Sequence, residues 1–268
     1  MDFLGVKDKV YYVAGVANKK SVAYVTARTL LEAGARCLFS VQRAEQVESV
    51  TKLFPGSPVL VCDVEDEAQL GELRRSVARH TDRLDGIVHS LAFANFSDGP
   101  KPFHETRRAD YLQAAQISCF SLVEMAKSLL PLLAPDASIV TISISNTRAT
   151  SYGYLGPIKA MLDATVPFLA KSLSESSKIR VNAVGAGPLK TSASAGIPDY
   201  VENYLYAEEL TLRKRALETR EVANAVCFLL SPRSSGINAT TLLVDAGISC
   251  NTFDQKIVKS FAQHSLKD

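Results

Sequence analysis

Tryptophan is absent from this sequence, and histidine occurs only four times in 268 residues. No histidine stands at a spacing that suggests a metal ligand set or a nucleophile triad. The five cysteines (Cys37, Cys62, Cys119, Cys227, Cys250) are odd in number, scattered, and without a C-x-x-C spacing. They read as free thiols of a reducing compartment, with no metal site. No basic segment followed by an apolar stretch opens the chain, so no signal peptide is expected. No run of 18 apolar residues is present, so no membrane span is expected either. Charge of one sign is missing too. The net charge is +2 at pH 7, which gives no electrostatic case for nucleic acid. There is no internal repeat and no low-complexity linker. Together these absences point to a cytoplasmic protein, folded as a single domain over residues 1–268.

What is present supports a sizeable core. Hydrophobic residues make up 47% of the chain. Short apolar runs alternate with amphipathic helical patterns along most of the length. Strands are expected at Lys9 to Gly15, Arg36 to Val41, Val59 to Cys62, Asp85 to Leu91, 138 to 142, Ile179 to Val184 and Thr240 to Val244. Helices are expected from Ser21 to about Ala33, 44 to 54, Glu65 to His80, 109 to 133, 157 to 175 and 220 to 231. Pro131 lies near the end of the fourth of these, and Pro167 is expected to kink the fifth. Residues 192 to 216 read as a polar, partly helical excursion. The alternation predicts an α/β fold, a Rossmann-like doubly wound seven-stranded parallel sheet with helices on both faces. Ligands then bind at the carboxyl ends of the strands, near the point where strand order reverses.

Two features of that strand-end region are legible but not decisive. Gly15 follows the first strand, and Ser21, Val22 and Ala23 open the next helix. A glycine there lets backbone approach a ligand, and the helix N-terminus favours phosphate. The G-x-G-x-x-G pattern is missing, so an ordinary βα turn fits as well. The second strand ends in Gln42 and Arg43 with no acidic residue to hold a ribose 2′-hydroxyl. Arg43 can meet a 2′-phosphate, or it can be a solvated arginine opening a helix. His89, inside an apolar strand, reads as a satisfied core histidine.

The most informative stretch runs from Ser143 to Lys159. It follows the fifth strand, carries Ser143 and Ser145, and places Tyr152 seven residues before Lys159. An ammonium near a phenol favours its anionic form. Such a phenol can hydrogen-bond or protonate an oxygen that gains charge during reaction. Gly153, Gly156 and Pro157 suggest a loop that ends where a helix starts, with Pro157 at the first helical position and Lys159 in the first turn. Tyr154 lies on the same loop and is an alternative phenol. A surface tyrosine beside a solvated lysine is the competing explanation.

Taken in order, these pieces resemble a short-chain dehydrogenase/reductase. More narrowly, they resemble the bacterial enoyl-acyl-carrier-protein reductases with six residues between tyrosine and lysine. The likeness runs from about residue 2 to 250. It is carried by Gly15-Val-Ala-x-Lys-x-Ser21-x-Ala23-Tyr24, Cys62-Asp63-Val64, His89-Ser90-Leu91-Ala92-Phe93-Ala94, Tyr152-x6-Lys159, Arg180-Val-Asn182-Ala, Gly187-Pro188-x-Lys-Thr191 and Val244-Asp245-x-Gly247.

The resemblance implies NADH or NADPH as cofactor. Gly15, Ser21 and Val22 then line the pyrophosphate, with Gln42 and Arg43 near the adenosine and Asp63 and Val64 beside the adenine. Ser90, Leu91 and Ala92 pass the ribose and nicotinamide, Lys159 holds the nicotinamide ribose, and Leu189, Lys190, Thr191, Ser192 and Ala193 cover the nicotinamide. Tyr152 and Lys159 are the implied catalytic pair, and Ala94 and Tyr154 are placed at the substrate. Residues 192–216 are the implied substrate lid. The implied reaction is reduction of a 2-enoyl thioester, carried by acyl carrier protein or CoA, in fatty acid synthesis. The implied assembly is a homotetramer, supported by the apolar character of 109–133 and 157–175. Two other readings remain: a carbonyl (3-ketoacyl-type) reductase of the same superfamily, and a dinucleotide-binding sensor without turnover. Four departures stand out. Ile144 replaces a second tyrosine usual after the fifth strand, Ala92 replaces a glycine, Pro157 and Pro167 replace helix formers, and a tail of about 251–268 extends past the family's usual end.

Overall fold

The computed structural model describes residues 3–97, 99, 101–191 and 200–265. Seven strands form one sheet: β1 (Val10–Ala14), β2 (Arg36–Val41), β3 (Val59–Val61), β4 (Leu84–His89), β5 (Leu133–Ile144), β6 (Arg180–Ala186) and β7 (Thr241–Val244). Their order is β3-β2-β1-β4-β5-β6-β7, and every neighbouring pair is parallel. The helices are α1 (Val22–Glu32), α2 (Val47–Leu53), α3 (Glu67–Ala78), α4 (Arg108–Ala115), α5 (Ser121–Leu129), α6 (Leu155–Ser174), α7 (Tyr200–Leu210), α8 (Thr219–Leu230) and α9 (Gln255–Ser265).

The sheet is buried on both faces, which is why its strands are continuous apolar runs. Val10, Tyr12 and Ala14 of β1 pack into the layer of α3, α5 and α6. Tyr11 and Val13 point the other way, into the layer of α1, α2 and α8. That alternation is the period of two of an extended chain. Burial of each large apolar side chain in these layers contributes about 1.5–3 kcal/mol. The chain runs outward from β1 through β2 and β3, then returns to the far side of β1 as β4. This reversal leaves a crevice at the carboxyl ends of β1 and β4.

Helix starts follow local capping chemistry. Ser21 caps α1 by accepting from the Tyr24 amide at 3.2 Å. Asp66 caps α3 by accepting from Ala68 and Gln69. Glu218 and Glu221 form a capping box at α8.

The structure corrects three local expectations. First, 109–133 is not one helix. α4 and α5 flank a wide π-type turn, Gln116–Phe120, and a 3-10 turn follows at Leu130–Leu132. The wide turn lets Ser121 Oγ donate to Ile117 O at 2.7 Å while facing His89, and aims Ser118 Oγ at the Phe93 amide at 2.9 Å. Second, β5 begins at Leu133, five residues before the expected 138. Its register against β4 shifts between Leu84 and Gly86, which accommodates Pro135 and Asp136. Third, α6 begins at Leu155 with Tyr154 as N-cap, so Pro157 is its third residue and Lys159 lies in the second turn. Proline is tolerated there because first-turn amides have no intrahelical acceptor. The helix continues through Pro167, which is exposed.

The tail carries α9, and its start is tied to the end of α7. Lys214 Nζ contacts Asp254 Oδ2 at 2.6 Å, and Lys256 Nζ contacts Glu209 Oε2 at 3.0 Å. All five cysteines are free; four are buried and Cys250 is exposed. Among the described residues no helix is long and apolar enough to cross a membrane, and no cluster of three or more His, Cys, Asp or Glu side chains could hold a metal ion.

Candidate active site

A cavity of about 770 Å³ runs along the carboxyl ends of β1 to β6. That volume falls within the roughly 300–1,000 Å³ of small-molecule and cofactor sites.

Its floor at the β1 end is Gly15, whose φ is +100°. A Cβ there would lie 2.1 Å from Ser90 O and 2.6 Å from Ser90 C. The Ser90 amide donates to Ala14 O at 3.1 Å, so the end of β4 is pulled tightly against this turn. Only glycine satisfies both the conformation and the approach. Ser21 and Val22, at the N-terminus of α1, complete this wall. The exposed backbone and helix end present amide donors where an anion can sit.

Gln42 and Arg43 border the cavity at the end of β2, and Asp63 and Val64 follow β3. Gln42 Nε2 donates to Asp63 Oδ2 at 3.1 Å, which joins these two strand ends. The Asp63 amide is held by Gln69 Oε1 at 2.9 Å. Ser90, Leu91, Ala92 and Ala94 form the wall after β4, and Leu189 and Thr191 form the wall after β6. Tyr152 and Lys159 stand on the β5–α6 side of the same space. Tyr152 ends a 3-10 turn, Thr150–Tyr152, and is half-buried.

Lys159 is buried, with 5% of its surface exposed. Its Nζ donates to Ile142 O at 2.8 Å and Leu91 O at 3.4 Å, which points the ammonium along the strand ends. Burial pushes its pKa down to about 8, against weaker upward pulls from Asp163 and Cys119. His89 lies on the neighbouring strand, fully buried, with Nδ1 and Nε2 each 2.8 Å from Thr141 Oγ1 and Ser121 Oγ. Burial, then the Lys159 charge, pushes it down to about 3, so it is neutral at physiological pH. The expected satisfied core histidine is what the structure contains.

Two expected site residues do not line the cavity. Tyr154 is buried against Phe96 and Tyr111. Its hydroxyl accepts from the Asn95 amide at 2.6 Å and donates to Asn95 O at 3.1 Å. The phenol therefore pins the loop after β4 and is turned away from the cavity. Lys190 is exposed and sits 4.4 Å over the ring of Tyr204 on α7, so it faces that helix instead. Ser192 and Ala193 lie outside the described residues, as does the first part of the 192–216 excursion.

Sequence reasoning missed part of the lining. Phe93, Phe96, Leu155, Ile117 and Ile144 make the β5–α6 end of the cavity apolar. Phe93 stands within a quoted motif and was within reach. Ile117 enters only because the wide turn displaces it, which no local pattern announces. At the other end, Gln113 bridges to Glu65 at 3.0 Å, a contact over 48 residues.

The lining fits a dinucleotide on this structure's own terms. The cavity is elongated, has a cradle that excludes any Cβ at one end, and carries one buried ammonium near the other. A phenol and an ammonium beside an apolar channel can bind and polarise a carbonyl oxygen of an extended apolar substrate.

Comparison with known proteins agrees with this geometry. Residues 15–249 match the family described as enoyl-(acyl carrier protein) reductase. The chain is 34% identical over 246 residues to the NADH-dependent enoyl-[acyl-carrier-protein] reductase FabI of Enterococcus faecalis, covering 91% of this chain and 98% of that one. It is 31% identical over 251 residues to the NADPH-dependent FabI of Staphylococcus aureus, covering 91% and 98%. Among solved structures it resembles the Bacillus cereus enoyl-acyl carrier protein reductase bound to NADP+ and indole naphthyridinone. There the TM-score is 0.85 at 31% identity, covering 91% of this chain and 97% of that one.

Proposed function

The chain belongs to the enoyl-(acyl carrier protein) reductase family, and we propose that Tyr152 and Lys159 carry out the reduction of a 2-enoyl thioester in its cavity. The protein is an oxidoreductase that acts on a carbon–carbon double bond with NADH or NADPH, in fatty acid synthesis. The observation that carries the assignment of residues is that Tyr152 and Lys159 border one cavity with the Gly15 turn.

NADH or NADPH, held along this cavity, would supply the hydride that the β-carbon of the enoyl group receives. The electrons of the double bond then move onto the thioester oxygen as an enolate. The Tyr152 hydroxyl hydrogen-bonds that oxygen, and a proton reaches the α-carbon to complete the reduction. A donor already in place for the developing charge lowers the barrier. Lys159 holds the ribose hydroxyls of the cofactor and supplies a positive field to the phenol. Phe93, Phe96, Leu155 and Ile144 form the dry surface for the acyl chain. The half of the cavity lined by Gly15, Ser21, Val22, Gln42, Arg43, Asp63 and Val64 holds the adenosine diphosphate portion. The 192–216 excursion, whose first part lies outside the described residues, is the proposed substrate lid.

The carrier is acyl carrier protein, as the relatives' names indicate for those enzymes, with a CoA thioester as a simpler substitute. We infer a cytoplasmic location. A homotetramer is the proposed assembly, since Leu112, Phe120 and Phe168 on α4 to α6 and their connection are 59%, 51% and 79% exposed. Light scattering checks it, and a monomer at micromolar concentration overturns it.

The decisive assay follows loss of reduced-cofactor absorbance with a crotonyl thioester and, in parallel, an acetoacetyl thioester. Turnover of the first is expected. Turnover of the second alone would transfer the protein to carbonyl reduction, and dinucleotide binding without either would mark a sensor.

A further inference from the structure

One turn of α6 beyond Lys159 stands Asp163, on the same face of the helix and roughly 6 Å away between Cβ atoms. Its Oδ1 accepts a hydrogen bond of 3.1 Å from Thr241 Oγ1 on the edge strand β7. The Ser143 hydroxyl, on β5 at the cavity wall, is 2% exposed and meets no partner at full hydrogen-bond geometry. The polar group it faces is the Asp163 carboxyl. A half-buried carboxylate thus sits across β5 and β7, anchored by a neutral hydroxyl. Neutral anchoring alone would be met equally well by asparagine; what asparagine lacks is charge toward Lys159.

We propose that Asp163 is a positioning residue for Lys159, its carboxylate, one helical turn away, favouring the charged form of the ammonium that the Ile142 and Leu91 carbonyls orient beneath the cavity.

The groups that face Lys159 support this. His89 on β4 is neutral, as derived above. The Cys119 thiol, from the wide turn, is pushed up by burial and is also neutral. Tyr152 borders the same cavity from the loop before α6. Among the described groups that act on Lys159, Asp163 is the one that carries negative charge near neutrality. Burial pushes the Asp163 carboxyl up, and the neighbouring Ser143 and Thr241 hydroxyls and the charge of Lys159 offset that only in part. The buried ammonium and the half-buried carboxylate therefore favour each other's charged form. Burial without this partner would leave Lys159 neutral over more of the working range, with no charge for the ribose or the phenol.

The inference rests on the role given to Lys159 in the proposed function. Its test therefore includes a readout that needs no substrate. Wild type, Asp163→Asn, Asp163→Glu and Thr241→Val are compared for NADH and NADPH affinity by calorimetry between about pH 6 and about pH 9.5, beside kcat/KM for a crotonyl thioester, both of which report groups of the free enzyme. Function that requires charged Lys159 is lost as pH rises through its pKa, so removing a negative neighbour moves that limb to lower pH. Asp163→Asn is expected to move it down by about one pH unit, which is about a fivefold loss at pH 8 with near wild-type affinity at pH 6. Asp163→Glu is expected to restore the limb. Thr241→Val, which loosens the carboxylate and leaves its charge, is expected to move it in the same direction by less, and serves if Asp163→Asn does not fold. A uniform loss at every pH, or a limb that stays in place in both variants, overturns the proposal. Shifted dinucleotide affinity with no turnover of the enoyl thioester counts against the proposed reaction and leaves the assignment of Asp163 standing.

Discussion

The two ends of the cavity are built by different means. At the β1–β3 end the shape comes from backbone: a glycine at φ +100°, a helix N-terminus, and strand ends tied by short links such as Gln42 to Asp63. At the β5–α6 end it comes from side chains and the contacts that hold them. Lys159 is aimed by carbonyls of Ile142 and Leu91, Tyr154 is locked by Asn95, and Asp163 is anchored on Thr241. A backbone cradle fits any ligand with the same phosphate geometry. A side-chain wall can be adjusted residue by residue. Substitution of the backbone cradle should therefore act all-or-none, and substitution of side chains in graded fashion.

The largest effect is expected at Gly15. In Gly15→Ala the new methyl collides with Ser90 backbone, which cannot move without breaking its bond to Ala14. Strain and displacement together should cost about 3 kcal/mol or more, with dinucleotide binding abolished. Denaturant unfolding and calorimetry check this. Wild-type stability with intact binding would remove the contrast between the two ends.

Next come the paired phenols, which should separate catalysis from structure over two residues of chain. Tyr152→Phe removes one donor at the developing oxyanion and should lower turnover by about 10²–10³-fold, with cofactor affinity nearly intact. Tyr154→Phe leaves the half-buried Asn95 amide without its acceptor and should cost about 1 kcal/mol in stability, with turnover within a few-fold of wild type. The opposite pattern, a large catalytic loss only in Tyr154→Phe, would show that Tyr154 and not Tyr152 is the reacting phenol.

What the sequence made legible follows the same division. The parallel sheet, its two helical layers and the βα turn follow from local patterns: apolar runs of fixed period, a glycine, a capping serine. They were readable, as was the core role of His89. Three features were not. The fifth strand was expected only from 138, yet a register shift lets β5 start at Leu133 and run past Pro135 and Asp136. The 109–133 stretch has continuous helical character, and the wide turn sets Ser118 and Ser121 against partners on the β4 side that no local pattern announces. Tyr154 looked interchangeable with Tyr152, since the loop gives both the same surroundings in sequence. Asn95, which separates them, lies 59 residues away. Asp163 escaped for the same reason, being 78 residues from Thr241.

The smallest effect is expected at Arg43, and it tests whether the cradle end is as indifferent to its ligand as the comparison holds. The end of β2 offers no carboxylate against a 2′-phosphate, and Gln42 is engaged with Asp63. Arg43 borders the cavity but is exposed, so any pairing with a phosphate is weakened by solvent. Arg43→Ala should therefore lower NADPH affinity by only about fivefold and leave NADH affinity unchanged. The loss should also shrink as salt is raised, because an exposed ion pair is screened within about 10 Å at 0.1 M ionic strength. Calorimetric titration of both dinucleotides at low and high salt reads the effect. An unchanged NADPH to NADH ratio would take Arg43 out of cofactor choice. A loss that persists at high salt would mean that the arginine is desolvated when the ligand binds, and that this end of the cavity closes around its phosphate after all.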